Sequence, residues 1–212
     1  YMFYGSRRLN YVNVSGFDTS QVTNMRGMFE FTGIREPDLS DFDTSKVTDM
    51  SEMFSDSSIR ELDLRSFDMS NVTNISHMFD GCHSLTGLVC DGWNTSNVTD
   101  MSDMFYDCIG VTYLNLCSWD VSKVTTFERM FAGCENLCDL KLEGWNTCHV
   151  ENVRSMFFNC FCLTSVDLSG FRMENVIDMD GMFRRCYKLS TSILLTGDKV
   201  ENFELCFNRA AE

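Results

Sequence analysis

Proline is almost missing from this chain: Pro37 stands alone among 212 residues. Charged residues are 23% and hydrophobic residues 44%, so the composition is not that of a disordered chain and suffices for a continuous core. No apolar run approaches the roughly 18–20 residues of a membrane span. Positive charge is scarce as well, with 17 Lys plus Arg against 31 Asp plus Glu and a net charge of −14. A surface of that sign repels phosphate backbones and anionic lipid, which argues against nucleic acid and membrane surfaces as partners. Histidine occurs three times, as His77, His83 and His149. No arrangement of nucleophile, base and orienting group can be placed among the Ser, His and Asp residues, so the chain is expected not to be an enzyme.

What the chain has in abundance is itself. An aromatic residue returns as Phe17, Phe42, Phe67, Trp93, Trp119, Trp145 and Phe171, at steps of 25, 25, 26, 26, 26 and 26. A period of that size marks a stack of repeated coils. After each aromatic comes Asp or Asn (Asp18, Asp43, Asp68, Asn94, Asp120, Asn146), suited to an Asx-turn that redirects the chain. Apolar residues then recur at i, i+3, i+6 and i+7, as in Val98, Met101, Met104 and Phe105. That spacing predicts a short helix or 3₁₀ turns, with Asn24, Asp49, Asn74, Asp100 and Asp178 as caps. The unit closes on Leu-x-x-Leu-x-Leu, as in Val111, Leu114 and Leu116, whose last two apolar residues alternate as in a strand. Strands of three to four residues, stacked in register, are expected to make one parallel sheet along one side.

The expected organisation is a single repeat domain over residues 1–212, with about eight coils. Tyr1-Met2-Phe3 reads as the end of a repeat's turn segment, so the chain is expected to begin mid-repeat, with further repeats or self-association at that end. The pattern decays from Leu189 through Ser192, Leu194, Val200, Phe203, Cys206 and Phe207, which predicts a C-terminal cap at about 189–212.

The full unit reads Leu-x-x-Leu-x-Leu, then aromatic-Asp-Thr-Ser-x-Val-Thr-x-Met-Ser-x-Met-Phe-x-x-Cys. It resembles the BspA-like family of leucine-rich-repeat surface proteins, from Met2-Phe3 to Phe207. The resemblance implies a leucine-rich-repeat-like right-handed solenoid. It also implies a place on the cell surface or outside the cell, and adhesion to a protein or matrix partner without catalysis or cofactor. A structural subunit of a larger extracellular or filamentous assembly is the other reading. Ser57 departs from the Cys column, Glu151 and Ile177 from the Thr column, and Arg172 from the Asp column.

Cys82, Cys108, Cys134, Cys160 and Cys186 are spaced by 26 residues each time, one per coil. Ligands of a zinc ion converge on a point, whereas these form a row, so they are expected to be reduced, buried and metal-free. Cys138 and Cys162 stand at nearby heights in adjacent coils, where a bridge is conceivable. Five N-x-Ser/Thr sites, at Asn13, Asn71, Asn74, Asn94 and Asn97, arise from the wording of the repeat itself.

Side chains between the inward leucines point out from the strands. Those outward positions include Glu36, Asp38, Glu61, Asp63, Asp139 and Asp167, with Tyr11 and Tyr113 in the same columns and Arg65 and Lys141 as opposing charges. This acidic face with two tyrosines is the candidate partner site. The expected ligand is a basic protein segment or, less in keeping with the pattern, Ca²⁺ held by Glu36, Asp38, Glu61 and Asp63.

Overall fold

The computed structural model describes residues 1–190. The expected cap lies, apart from Leu189 and Ser190, outside the described residues.

Each repeat makes one coil, and successive coils lie in parallel register. The most regular link between them is a ladder of single parallel bridges, Asn24–Asp49–Asn74–Asp100–Thr126–Asn152–Asp178, running through every described repeat. All but Thr126 and Asn152 are the residues expected to cap helices. Their side chains instead close local turns: Asp49 Oδ1 accepts from the Ser51 amide at 2.9 Å and the Ser51 hydroxyl at 2.6 Å.

Among the described residues there is no α-helix and no 3₁₀-helix. The segments expected to be helical are runs of overlapping turns, and the backbone shows why. In the Trp93 coil, the amides of Asp103, Phe105 and Asp107 donate to the next coil, at Glu128, Met130 and Ala132. The amides of Tyr106 and Cys108, each one residue after a cross-coil donor, bond three residues back, to Asp103 and Phe105. A helix would direct all of these amides along its own axis. Here a left-handed residue every fourth position turns alternate peptides toward the neighbouring coil. One column of such residues is Gly27, Glu52, His77, Asp103, Arg129, Ser155 and Gly181, with φ from 52 to 65°. The second is Phe31, Asp56, Gly81, Asp107, Gly133, Asn159 and Arg185, with φ from 51 to 78°.

The apolar periodicity nevertheless marks the inward faces. Val98, Met101, Met104 and Phe105 are all fully buried, as are their counterparts in the Phe42 and Trp119 coils. The Phe column, from Phe3 through Phe29, Phe54, Phe79, Phe105, Phe131 and Phe157 to Phe183, forms one continuous stack with ring centroids 5.2–5.8 Å apart. Rings at that separation add about 0.5–1.5 kcal/mol per pair beyond the area they bury.

The strands are β1 (Glu61–Asp63), β2 (Gly87–Val89), β3 (Tyr113–Asn115) and β4 (Asp139–Lys141). They do not form the single sheet expected. Leu62 pairs with Leu88 and Leu114 with Leu140, giving two separate parallel pairs. The gap falls beside β2, where the repeat is weakest. Gly87 offers no side chain toward Tyr113 in the outward column, and Cys90 is smaller than the inward Leu64 and Leu116 of its neighbours.

Candidate functional site: the strand face

The outward positions of β1–β4 form a face whose acids do two kinds of work. Asp38, Asp63 and Asp167, each just before the last inward leucine of its coil, close Asx-turns. Their Oδ1 atoms accept from the amides of Ser40 at 3.1 Å, Arg65 at 3.1 Å and Ser169 at 2.8 Å. The Ser40 hydroxyl at 2.7 Å and then its amide hold Asp38 ionised, the Arg65 guanidinium and then its amide hold Asp63, and the Ser169 amide holds Asp167; all three pKa values are lowered, that of Asp63 to about 2. The turn accounts for these three aspartates without a ligand. The two bases of the face are also occupied: Arg65 pairs with Asp63 at 2.5 Å and Lys141 with Asp139 at 2.9 Å.

Glu36 and Glu61 differ. Both are exposed, and among the described residues neither has an ion-pair partner. They border a groove of about 760 Å³ with Asp38, Asp63, Arg65, Gly87 and Val89. Gly87 leaves the floor open where every other coil in its column carries a side chain, and Val89, 37% exposed, supplies an apolar wall. Val89 also lines a second cleft of about 270 Å³, between the two strand pairs, with Asp91 and Tyr113. Tyr113 is 53% exposed at that cleft; Tyr11, 75% exposed, lines neither hollow. The fold therefore brings Glu36, Asp38, Glu61 and Asp63 together, puts Tyr113 beside them across Val89, and leaves Asp139 and Asp167 farther along the stack. Val89 and Gly87 were not among the residues expected at the site. The readable signal was a glycine in the outward column followed by an outward valine. Among the described residues, no three His, Cys, Asp or Glu side chains gather closely enough to hold a metal ion.

The five regularly spaced cysteines lie inside the stack, 0–2% exposed. Each thiol donates to the carbonyl of the stacked Phe in the preceding coil. These contacts are Cys82 to Phe54, Cys108 to Phe79 and Cys134 to Phe105, all at 3.1 Å, then Cys160 to Phe131 at 3.2 Å and Cys186 to Phe157 at 3.0 Å. Burial pushes the Cys82 thiol up to about 12 and raises Cys108, Cys134 and Cys160 as well. A thiolate is disfavoured in such a place, and with it nucleophilic or metal-ligating behaviour. The column continues as Ser57 and Thr32, so what it conserves in each coil is a small donor. Thr32 donates to Phe29 at 2.7 Å.

On the opposite side runs a line of ion pairs. His77 meets Asp80 at 2.9 Å and Asp103 at 3.6 Å, while Arg129 reaches Asp103 at 2.8 Å. Asp103 is 4% exposed, and desolvation raises its pKa against the pull of both cations. His77 is half-buried in this network.

No curated protein matches the chain. Among solved structures it is similar to a leucine-rich repeat protein from Bacteroides ovatus ATCC 8483, with 16% identity over 88% of this chain and 77% of that one, at a TM-score of 0.27. A family model described as a Mycoplasma protein of unknown function, DUF285, matches residues 1–113 and again residues 110–212. The two matches span every repeat described above, and the chain belongs to the DUF285 family of Mycoplasma proteins.

Proposed function

We propose that this repeat stack is a right-handed, leucine-rich-repeat-like solenoid acting as a non-enzymatic binding module. Its strand face takes up a basic segment of a protein or matrix partner, without a cofactor. The observation that carries the reading is the groove at β1 and β2. There two unpaired glutamates, two aspartates held ionised by their turns, and the apolar side of Val89 face one hollow. An extended basic chain would place its cations against Glu36 and Glu61 and its apolar atoms on Val89, with Tyr113 as an anchor beyond. Through its resemblance to the BspA-like proteins, the module is assigned to the cell surface or the extracellular space.

The test compares binding of Lys/Arg-rich and matched Glu-rich peptides to the intact chain at several salt concentrations. Basic peptides bind and weaken with salt, and Glu36→Gln with Glu61→Gln lowers their affinity about tenfold. Both substitutions spare the Asx-turns, which replacing Asp63 would not. Equal binding of acidic peptides, or affinity and salt dependence unchanged by the double substitution, moves the site off this face.

A second reading, a structural subunit of a larger assembly, is favoured by the first coil. Met25, Met28, Val22 and Phe17 line an apolar hollow of about 370 Å³ beside Tyr1 and Met2, which are 61% and 64% exposed. Concentration-dependent polymers in sedimentation would support that reading, and a monomer that binds basic peptides would support the first.

A further inference from the structure

A ridge of bases and aromatics stands on the last described turn run, in a chain short of positive charge. Arg184, Arg185 and Lys188 put three of its 17 bases within residues 184–188. Arg185, Tyr187 and Lys188 are exposed and Arg184 is half-buried. Arg185 holds φ 66°, the left-handed conformation that its column uses in the coils before it. Both guanidiniums lie over the Phe158 ring of the preceding coil, 5.8 and 5.9 Å from its centroid. The Tyr187 ring, 49% exposed, stacks on Phe161 at 5.5 Å. The Lys188 ammonium lies 3.5 Å from the Cys162 sulfur. Among the described residues no carboxylate forms an ion pair with any of these three bases. Aromatic faces hold the two guanidiniums in place and leave their charge unneutralised, as the charge of Glu36 and Glu61 is left on the strand face.

We propose that the basic segment taken up by the strand-face groove is this ridge on a second copy of the chain, an inference that rests on the groove's preference for bases. In the contact the guanidiniums of Arg184 and Arg185 face Glu36 and Glu61, which each can bond through two N–H groups, and the Tyr187 ring meets the exposed side of Val89. The aromatic contacts already order the ridge, so docking costs little side-chain freedom. The groove is built from residues 36–89 and the ridge from residues 158–188. They are different patches of one surface, and the contact between them is heterologous. Each docked copy keeps one groove or one ridge open, so copies add head to tail into an open chain or a ring. Such an assembly is held by charge and weakens with salt, whereas one built on the apolar hollow beside Tyr1 does not.

The experiment follows the intact 212-residue chain by sedimentation velocity over a range of concentrations at low and high salt. Assembly at low salt that is lost at high salt is expected. Two variants divide the contact: Arg184→Gln with Arg185→Gln and Lys188→Gln removes the ridge, and Glu36→Gln with Glu61→Gln removes the groove. Each alone is expected to stay monomeric, while their equimolar mixture forms a one-to-one dimer and stops there, because only one intact groove and one intact ridge meet. Lys/Arg-rich peptides should dissociate assemblies of the unsubstituted chain, a readout free of any effect of substitution on folding. A monomer at every concentration, assembly that survives in either variant alone, or a mixture that does not pair would overturn the proposal. Basic peptides that bind through Glu36 and Glu61 to a chain that stays monomeric refute the second copy as partner and leave the groove's function standing. Failure of those peptides to bind refutes both.

Discussion

Trp93, Trp119 and Trp145 occupy one corner column, yet their indoles are not equivalent. Trp93 donates to Leu64 and Trp145 to Leu116, each at 2.9 Å across a coil boundary. Trp119 lies beside the Cys90 thiol, its Nε1 buried without an oxygen partner. Replacement by Phe keeps most of the ring and removes the N–H. Trp93→Phe and Trp145→Phe should each cost about 1–2 kcal/mol, while Trp119→Phe should be neutral within about 0.5, because an unmade bond cannot be lost. Denaturant midpoints of the three variants check the ordering. His77 gives a second expectation at this scale. Its hydrogen bond to Asp80, helped by Asp103 and Glu52, raises its pKa above the ordinary imidazole value despite partial desolvation. A raised histidine stabilises the fold fully below its unfolded pKa and loses that contribution as pH climbs through the folded one. Stability should therefore fall as pH climbs above the ordinary imidazole value of about 6.5, and His77→Gln should flatten the decline. An equal slope in the variant would place the titrating group elsewhere.

At the scale of the element, the turn run depends on its left-handed residues. In the second column, glycine alternates with aspartate for a steric reason. A Cβ on Gly81 would come within 2.6 Å of Asp56 Oδ1, and one on Gly133 would collide with Asp107 Oδ1. Each glycine makes room for the aspartate of the coil before it. Gly133→Ala, which adds both the clash and a strained φ of 78°, should cost about 1–3 kcal/mol. Ser155 presents the opposite case. It holds φ 52° in a column where Gly27 and Gly181 also serve. Ser155→Gly relieves that strain and should be neutral or stabilising by up to about 1 kcal/mol, where glycine in a true helix would destabilise. Thermal melts of the pair distinguish the turn run from a helix.

Across the whole molecule, stability is a sum over coils and their interfaces. Phe105 is fully buried with a ring stacked on each side, at 5.5 Å from Phe79 and 5.8 Å from Phe131. Phe3 is partly buried and stacks on one neighbour, Phe29. Phe105→Ala should thus cost about 3–5 kcal/mol and Phe3→Ala clearly less, measured by chemical denaturation. Much of this architecture is legible without coordinates. The period of the aromatics sets the coil length, the buried columns follow from the apolar spacing, and Asp or Asn after each aromatic announces its turn, as when Asp43 accepts from Ser45 at 2.9 Å. These are readable because each rests on the chain's local chemistry repeated in register. The helix was not decidable that way. Its i, i+3, i+7 spacing describes an inward face, and only the neighbouring coil determines whether alternate amides close a helix or bond across. The same holds for part of the candidate site. The turns of Asp38, Asp63 and Asp167 and the pairs of Asp63 with Arg65 and Asp139 with Lys141 are local, each spanning two residues, whereas stacking determined that Glu36 and Glu61 meet at one groove. The gap beside β2 likewise belongs to the tertiary structure, because it depends on how one coil lies on the next.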